Sequence, residues 1–326
     1  MFKYNLILID LADAKSMLGF FLRKLIQGVL MLLIVSALTF GLLSSAGGDA
    51  LSGLRDNPQI SEATIENLRK VYGLDRPLVE RYGSWLFGAA RGDLGESFSF
   101  RIPVRTLIWT RFLNTGLMAL IALVMAAVTA FFFVILSIRY RSRTLTGIIE
   151  TIILLTGSAP RMVVALAALA IMLQLPIATV ASGEVSLSRL IIGSIVLTIS
   201  LLSIFLAQLR LGVSEAMLED FVRFARAKGL SEWTIIQRHA LRAALNPFLT
   251  VSGLSLGGLL GGSVIVEAVL SWPGIGALMV TAVRARDIPL VMGIVLIAST
   301  AVWFGNVIAE LLQIINDNRL RSGGMA

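Results

Sequence analysis

Six long apolar stretches limit what this sequence can fold into. Each has about the 20 residues that a helix needs to cross roughly 30 Å of hydrocarbon. A chain inside a bilayer must satisfy its own backbone hydrogen bonds, and a helix does so within one segment. The sequence therefore predicts an all-α integral membrane protein with six transmembrane helices. The stretches lie near residues 25–45, 113–138, 148–174, 189–210, 248–270 and 289–315.

Composition agrees with this prediction. Charged residues make up only 15% of the chain, against about 25% in soluble domains. The net charge is +8, but the basic residues lie mainly between apolar stretches, so we expect a lipid bilayer and no nucleic acid beside them. The sequence has no cysteine and one histidine, His239, which excludes disulfides and a multi-histidine metal site within the chain.

The basic residues also predict the orientation. The loop 139–143 carries three arginines and the segment 211–247 carries five basic residues, while the loop 176–188 carries none. Loops rich in lysine and arginine stay in the cytoplasm, so both termini are expected there. The first apolar stretch is longer than the apolar part of a signal peptide, and we expect it to be retained.

These assignments divide the chain into five parts. Within the segment 46–112, Ser61 and the apolar residues after it predict a short helix that ends at Gly73. The parts are a cytoplasmic segment 1–24, a transmembrane helix 25–45, an extracytoplasmic segment 46–112, a five-helix core 113–315 and a cytoplasmic tail 316–326.

A charged stretch at 215–247 interrupts the apolar core. Its pattern predicts one helix from Glu215 to Lys228, a stop at Gly229 and a second helix capped by Ser231. We expect Asn246-Pro247 to end the second helix. The result is a helix-turn-helix across the cytoplasmic mouth of the protein.

The spacing leaves two interpretations of this helix-turn-helix open. Phe221, Phe224 and Ala225 offer an apolar patch beside several arginines. Such a surface can dock into a groove of a partner protein. It can equally rest on anionic lipid as a basic amphipathic hairpin.

The same residues carry a family resemblance. "VRFARAKGLSE", followed by "RHALRAALNP", resembles the coupling loop of the ABC importer permeases found in oligopeptide, dipeptide and nickel systems. The likeness covers nearly the whole chain. "YGLDRPLVERYGSWLFGAARGDLGESF" is similar to the family's outer segment, and "VEAVLSWPGIGALMVTAVRARDIPLVMG" to its link between spans five and six.

The sequence departs from the family pattern at three places. The turn at 46–50 reads Ala-Gly-Gly-Asp-Ala rather than Ala-Pro-Gly-Asp-Pro, and Asn318 replaces a proline. In span three, Arg161 stands where a small or aromatic residue commonly follows Ser-x-Pro. Only the third departure bears on the substrate.

The resemblance implies a permease subunit of an ATP-driven importer in a bacterial cytoplasmic (inner) membrane. It implies peptides as substrates, with nickel or another small solute as the alternative, and transport by alternating access. The expected partners are a second homologous permease, two ABC ATPase subunits and an extracytoplasmic substrate-binding protein. The residues expected to couple to the ATPase are Phe221, Arg223, Phe224, Ala225, Arg226, Ala227, Lys228, Gly229, Ser231 and Glu232.

The chain itself offers no nucleotide site. A P-loop ends in Gly-Lys followed by Ser or Thr, and no lysine in this sequence follows a glycine. ATP and Mg²⁺ are therefore expected on the partner ATPases, and we expect no catalytic residue, cofactor or metal in this chain. An ion-coupled secondary carrier would need acids deep in several spans, whereas Glu150 and Glu267 are expected near span ends, with Glu267 close to outer-loop arginines.

Arg161 is the predicted residue most closely tied to the substrate. On a straight third span it lies about 18 Å along the helix, where a charge costs at least about 2.5 kcal/mol. Pro160 is expected to bend the span. We expect Pro160 and Arg161 to line the substrate path and Arg161 to meet substrate carboxylates. A structural pair, with Glu150 or with the partner permease, and a position near the surface are the alternatives.

Small residues repeat along the fifth span. Gly253, Gly257 and Gly261 follow one another at every fourth position. Such faces let helix backbones approach closely. We expect this face to pack against neighbouring spans or a partner permease, with a pore lining as the alternative.

Overall fold

The computed structural model describes residues 2–45, 61–140, 142–174 and 185–316. Over these ranges the chain is helical, and its strand-like pairing is confined to one isolated bridge between Glu96 and Pro103. The helices are α1 (Phe2–Ser45), α2 (Glu62–Val71), α3 (Leu78–Ala90), α4 (Val104–Tyr140), α5 (Arg143–Ser158), α6 (Arg161–Gln174), α7 (Leu187–Ala216), α8 (Asp220–Ala227), α9 (Glu232–Ile235), α10 (Leu241–Leu270), α11 (Ile275–Arg284) and α12 (Ile288–Asn316).

Most of the predicted spans are long apolar helices. A π-helical turn, Ile236–Ala240, joins α9 to α10 without a break. Counting α5 and α6 as one bent span brings the number of candidate spans in the described ranges to six. The prediction of an all-α membrane protein is therefore confirmed. The five unbroken candidates are Gly19–Ser45, Val104–Tyr140, Leu187–Ala216, Glu232–Leu270 and Ile288–Asn316.

The third predicted span is not straight. α5 and α6 meet at an angle of 97°. Ala159 is extended, with φ −77° and ψ 117°, because the ring of Pro160 disfavours helical backbone in the residue before it. The bend expected at Pro160 is confirmed, whereas the straight-span position of Arg161 is wrong, since Arg161 begins a new helix.

The core forms where α4, α7 and α10 pack together. Small buried residues recur every fourth position on α4, at Ala122, Ala126 and Ala130, and they let α7 approach closely. The buried hydroxyl of Thr198 donates to the Ala122 carbonyl at 3.3 Å. Polar groups of α7 are thereby satisfied inside the apolar core, which fixes its register on α4.

Three phenylalanine rings close one end of this core. The ring of Phe248 on α10 lies edge-on to Phe131 of α4, with centroids 5.1 Å apart, and to Phe205 of α7, with centroids 5.0 Å apart. Edge-to-face pairs of this kind add to the energy of apolar burial. The cluster joins the three central helices at the end that carries α8.

The segment between the first two spans is held by hydrogen bonds to the bundle. Ser61 accepts from the Thr64 N–H at 3.2 Å, which confirms the predicted helix start. The buried carboxylate of Asp287 accepts from the Ser97 hydroxyl at 2.5 Å and from the Leu290 N–H at 3.2 Å. Asp287 therefore caps α12 and fastens the segment to it at once.

α1 lies at the edge of the bundle and contacts α12. The Lys24 ammonium meets the Glu310 carboxylate at 2.6 Å. The indole N–H of Trp303 donates to the Lys24 carbonyl at 3.2 Å, and Gly28 leaves room for that ring. Helix α1 continues unbroken from Phe2, so no helix end separates the predicted segments 1–24 and 25–45.

Candidate functional site

The charged stretch at 215–247 folds differently from its predicted outline. α7 runs on to Ala216, a turn follows at 217–219, and the short α8 begins at Asp220. One helix from Glu215 to Lys228 was therefore a wrong prediction. Leu209 and Val213 of α7 remain buried in the core, so apolar burial extends α7 past the first charges.

The turn between α8 and α9 follows the prediction closely. Gly229 has φ +76°, a left-handed conformation that glycine adopts without a Cβ penalty. The Ser231 hydroxyl accepts from the Thr234 N–H at 3.2 Å and caps α9. The stop at Gly229 and the cap at Ser231 are confirmed.

A two-pronged ion pair braces the same turn. Arg226 donates to both carboxylate oxygens of Glu232, at 2.7 and 3.2 Å. The hydrogen bond to Glu232, followed by its negative charge, raises the pKa of Arg226 above its ordinary value. An arginine is charged at physiological pH in any environment of this kind, so the pair joins the end of α8 to the start of α9.

The expected apolar patch on α8 is divided between two faces. Ala225 is buried with Val222 and Ile235 in a small apolar cluster. Phe224 points the other way and is 70% exposed, while Phe221 is half-buried beside the His239 ring. A single patch of Phe221, Phe224 and Ala225 was thus a wrong prediction, because α8 uses its smaller residues for anchoring.

The outward side of α8 combines apolar and cationic side chains. We call it the α8 surface, and its exposed members are Leu218, Arg223, Phe224, Lys228 and Leu230. Ala227 and Gly229 are exposed beside it. A rigid short helix with an exposed aromatic ring and cations is suited to a protein groove with acidic edges.

A charged cavity of about 770 Å³ lies behind α8. Acids from the end of α7 and the start of α8 face bases from the π-helical turn and α10. Sequence analysis missed this arrangement, although a π-helical turn often marks a functional position. The ionisable residues that line the cavity are Glu215, Glu219, Asp220, Arg238, His239 and Arg242.

The second helix of the stretch does not end at Asn246-Pro247. Helical structure is continuous from Glu232 to Leu270, and Pro247 lies inside α10. A proline there lacks one N–H donor. Its neighbours Ala244 and Phe248 are buried in the core, and this packing keeps the helix intact. The predicted end of the helix was therefore wrong.

Arg161 lies at the bend of the third span, against α10. Its Nη1 donates to the Gly258 carbonyl at 3.4 Å. A Cβ on Gly262 would overlap the guanidinium. Among the described residues no acid pairs with Arg161, and the proposed partner Glu150 instead accepts from Arg210 at 2.9 Å. A pair with Glu150 was thus a wrong alternative.

The three repeated glycines of α10 have different surroundings. A Cβ on Gly253 would collide with Ala309 of α12, and one on Gly257 would come within 2.9 Å of Val302. A Cβ on Gly261 would meet nothing within 4 Å, and Gly261 lines an apolar cavity of about 350 Å³. Close helix contact therefore occurs at two of these positions, and the third is open.

Glu267, three residues before the end of α10, is fully buried within the protein. Its carboxylate accepts from the Thr115 hydroxyl at 2.6 Å and from the Ala277 N–H at 2.9 Å. The expected place beside outer-loop arginines was wrong, because α4 and α11 enclose this side chain. No group of three or more metal-ligating side chains occurs in the described parts of the chain.

Two family models and several known transport proteins match this chain over most of its length. The family model "Binding-protein-dependent transport system inner membrane component" matches residues 134–322, and the model of that family's N-terminal region matches residues 17–119. The oligopeptide transport system permease protein AppB of Bacillus subtilis is 31% identical over 318 residues, which cover 93% of this chain and 99% of AppB.

A second relative takes its name from a different substrate. The glutathione transport system permease protein GsiC of Escherichia coli is 31% identical over 302 residues, which cover 91% of this chain and 96% of GsiC. Both matches span almost the full length of either protein. This chain therefore belongs to the family of inner membrane components of binding-protein-dependent transport systems.

Proposed function

We propose that this chain is the membrane-spanning permease of an ATP-driven peptide importer. Family membership supports a transport permease that works with a substrate-binding protein. The names of AppB and GsiC, which refer to oligopeptides and to the tripeptide glutathione, support short peptides as the substrate class. A second permease and two ATPase subunits complete the proposed assembly.

The α8 surface is the observation that carries the proposal. It lies at the end of the bundle opposite the start of α12, and it presents Phe224 and several cations on a helix that is braced from behind. A lipid-bound hairpin would turn its apolar residues and its cations to different depths of the membrane. On α8, Arg223 and Phe224 are adjacent and both exposed, which favours a protein groove on an ATPase.

The charged cavity behind α8 supports alternating access. Its acids and bases come from different helices. If the ATPases push α8 toward α10, these side chains come within reach of each other and can form ion pairs. The π-helical turn would then transmit the movement of α8 to α10, and through α10 to the spans that line the substrate path.

Arg161 is the proposed substrate contact in that path. Its guanidinium lies over the glycines of α10 at the break between α5 and α6. A charge in the membrane interior is costly unless it faces a cavity or a partner. A peptide carboxylate supplies that partner, and the glycines leave space for it.

Transport measurements test the proposal directly. The chain is reconstituted with its partner subunits in proteoliposomes, and the binding protein is added with radiolabelled Ala-Phe-Ala. We expect ATP-dependent accumulation of the tripeptide. Accumulation of Ni²⁺ without accumulation of any short peptide would contradict the proposed substrate class.

A further inference from the structure

A third cavity, of about 420 Å³, which we call the outer cavity, lies at the end of the bundle remote from α8. It is enclosed by the end of α1, the turn after α2, helix α3, the loop before α4 and the start of α12. Ile288, Pro289 and Met292 form its apolar floor, whereas Asn316, at the other end of α12, borders the charged cavity. The two cavities are therefore separated by the length of α12.

One wall of this outer cavity is aromatic and carries a donor without an acceptor. The rings of Tyr72 and Phe98 stand 4.6 Å apart. The Trp85 Nε1 atom is buried, and no described residue accepts its hydrogen. Leaving a buried N–H without an acceptor is costly. A ligand carbonyl in the cavity would remove that cost.

The rim of the outer cavity carries both signs of charge. Arg76, Arg81 and the acids Glu80 and Glu96 line it, and no ion pair joins Arg76, Glu80 or Glu96 to a described residue. Gly73, with φ +62°, forms a turn in the chain. This turn brings the Arg76 side chain next to Gly73. The rim therefore suits a ligand with separate positive and negative ends.

We propose that the outer cavity is a recognition site for a short peptide with free termini. This inference rests on the proposed function and adds a place where the permease itself contacts its substrate. The Trp85 N–H donates to a peptide carbonyl, and a side chain of the peptide packs against Tyr72 and Phe98. Arg76 binds the terminal carboxylate, and Glu80 or Glu96 binds the terminal ammonium.

The charges favour a peptide over a phospholipid headgroup. The two arginines and two acids of the rim balance each other, which suits a zwitterionic peptide better than an anionic phosphate, whose charge would lie close to Glu80 and Glu96. Like charges at short range are repulsive. A volume of about 420 Å³ is of the size of small-ligand pockets, which run from about 300 to 1,000 Å³.

Photo-crosslinking in the assembled transporter tests the proposal. The probe is Ala-(p-benzoyl-Phe)-Ala, added to the complex in lipid nanodiscs, and labelled peptides are mapped by mass spectrometry. We expect labelling of Met292 in the cavity floor. Because Trp85→Phe keeps a ring and removes one hydrogen bond, labelling should fall about three- to tenfold. Trp109→Phe, at an exposed position of α4, is the matched control and should leave labelling unchanged.

A change in the probe, combined with a variant of Arg76, isolates recognition of the carboxylate. The same probe with a C-terminal amide should label Met292 more weakly than the free acid. Arg76→Gln should abolish that difference, which a purely structural role of Arg76 would not do. Equal labelling by acid and amide in the wild type, or no effect of Trp85→Phe, would overturn the proposal.

The same preparation separates this inference from the proposed function. Uptake of Ala-Phe-Ala without any labelling of Met292 overturns the outer site and leaves the importer proposal in place. If the wild-type complex takes up no short peptide in the presence of ATP, the importer proposal is overturned. Labelling of Met292 by a benzophenone phospholipid that excess tripeptide does not displace identifies a lipid site and also overturns the inference.

Discussion

Thr115 on α4 donates a hydrogen bond of 2.6 Å to Glu267 on α10, and the same hydroxyl accepts from the Ile275 N–H at 2.8 Å. The other carboxylate oxygen of Glu267 accepts from the Ala277 N–H at 2.9 Å. One buried pair thereby ties α4 and α10 to the start of α11. Positions 115 and 267 are far apart in sequence, so this contact joins distant parts of the chain in the fold.

Replacing Glu267 should destabilise the protein more than replacing an exposed acid. Glu267→Ala leaves the buried Thr115 hydroxyl and the partly buried Ala277 N–H without their acceptor, and at about 1–3 kcal/mol for each group we expect a loss of about 3 kcal/mol. Glu150→Gln, which alters an exposed ion pair, should cost less than about 1 kcal/mol. Thermal unfolding of the purified complex in detergent measures both, and equal losses would contradict the assigned role of Glu267.

Arg161→Ala should abolish peptide uptake while the subunits still assemble. The reason is that the path loses the cation that meets the substrate carboxylate. Arg161→Lys keeps the charge and should retain part of the uptake. Met162→Ala, at the next and exposed position of α6, is the control and should transport normally. Uptake of Ala-Phe-Ala by Arg161→Ala at the wild-type rate would remove Arg161 from the path.

Gly229→Ala should weaken ATPase coupling through the backbone. A residue with a Cβ in this left-handed conformation costs about 1–2 kcal/mol, so the turn that orients α8 on α9 should shift. Gly229→Asn should be tolerated better, because asparagine adopts that conformation more readily. The ratio of ATP hydrolysed to peptide transported measures the effect. The wild-type ratio in Gly229→Ala would show that the turn conformation does not matter.

The Lys24–Glu310 pair should be what holds α1 against α12. Lys24→Ala is expected to cost about 1–2 kcal/mol, as interhelical polar contacts in membranes do. Exchanging the charges in Lys24→Glu/Glu310→Lys should recover most of the loss, since Trp303 and Gly28 still pack as before. Thermal unfolding of the single and double variants checks this, and a double variant worse than either single one would argue against the pair.

Local patterns in the sequence were sufficient for several features. Apolar length identified the spans, and glycine and serine preferences identified the stop at Gly229 and the cap at Ser231. These signals act within a few residues, so no tertiary information is needed to interpret them.

Features set by tertiary contacts were missed or misplaced. A proline permits a bend, but the 97° angle at Pro160 depends on what α5 and α6 pack against. Pro247 shows the reverse, since its neighbours are buried and the helix continues. Burial of Ala225 and exposure of Phe224 depend on Ile235, and burial of Glu267 depends on Thr115. The periodicity of one helix carries no information about these distant partners.

Co-purification of the ATPases with Phe224→Asp is the most direct test of the central claim that the α8 surface couples this permease to ATP hydrolysis. Phe224 is 70% exposed, so the variant should fold, and Phe87→Asp changes a phenylalanine that is 60% exposed at the other end of the bundle. If the account is correct, the ATPases are lost from Phe224→Asp and retained by Phe87→Asp. Retention of the ATPases by Phe224→Asp at the wild-type level, with unchanged ATP-dependent uptake, would contradict it.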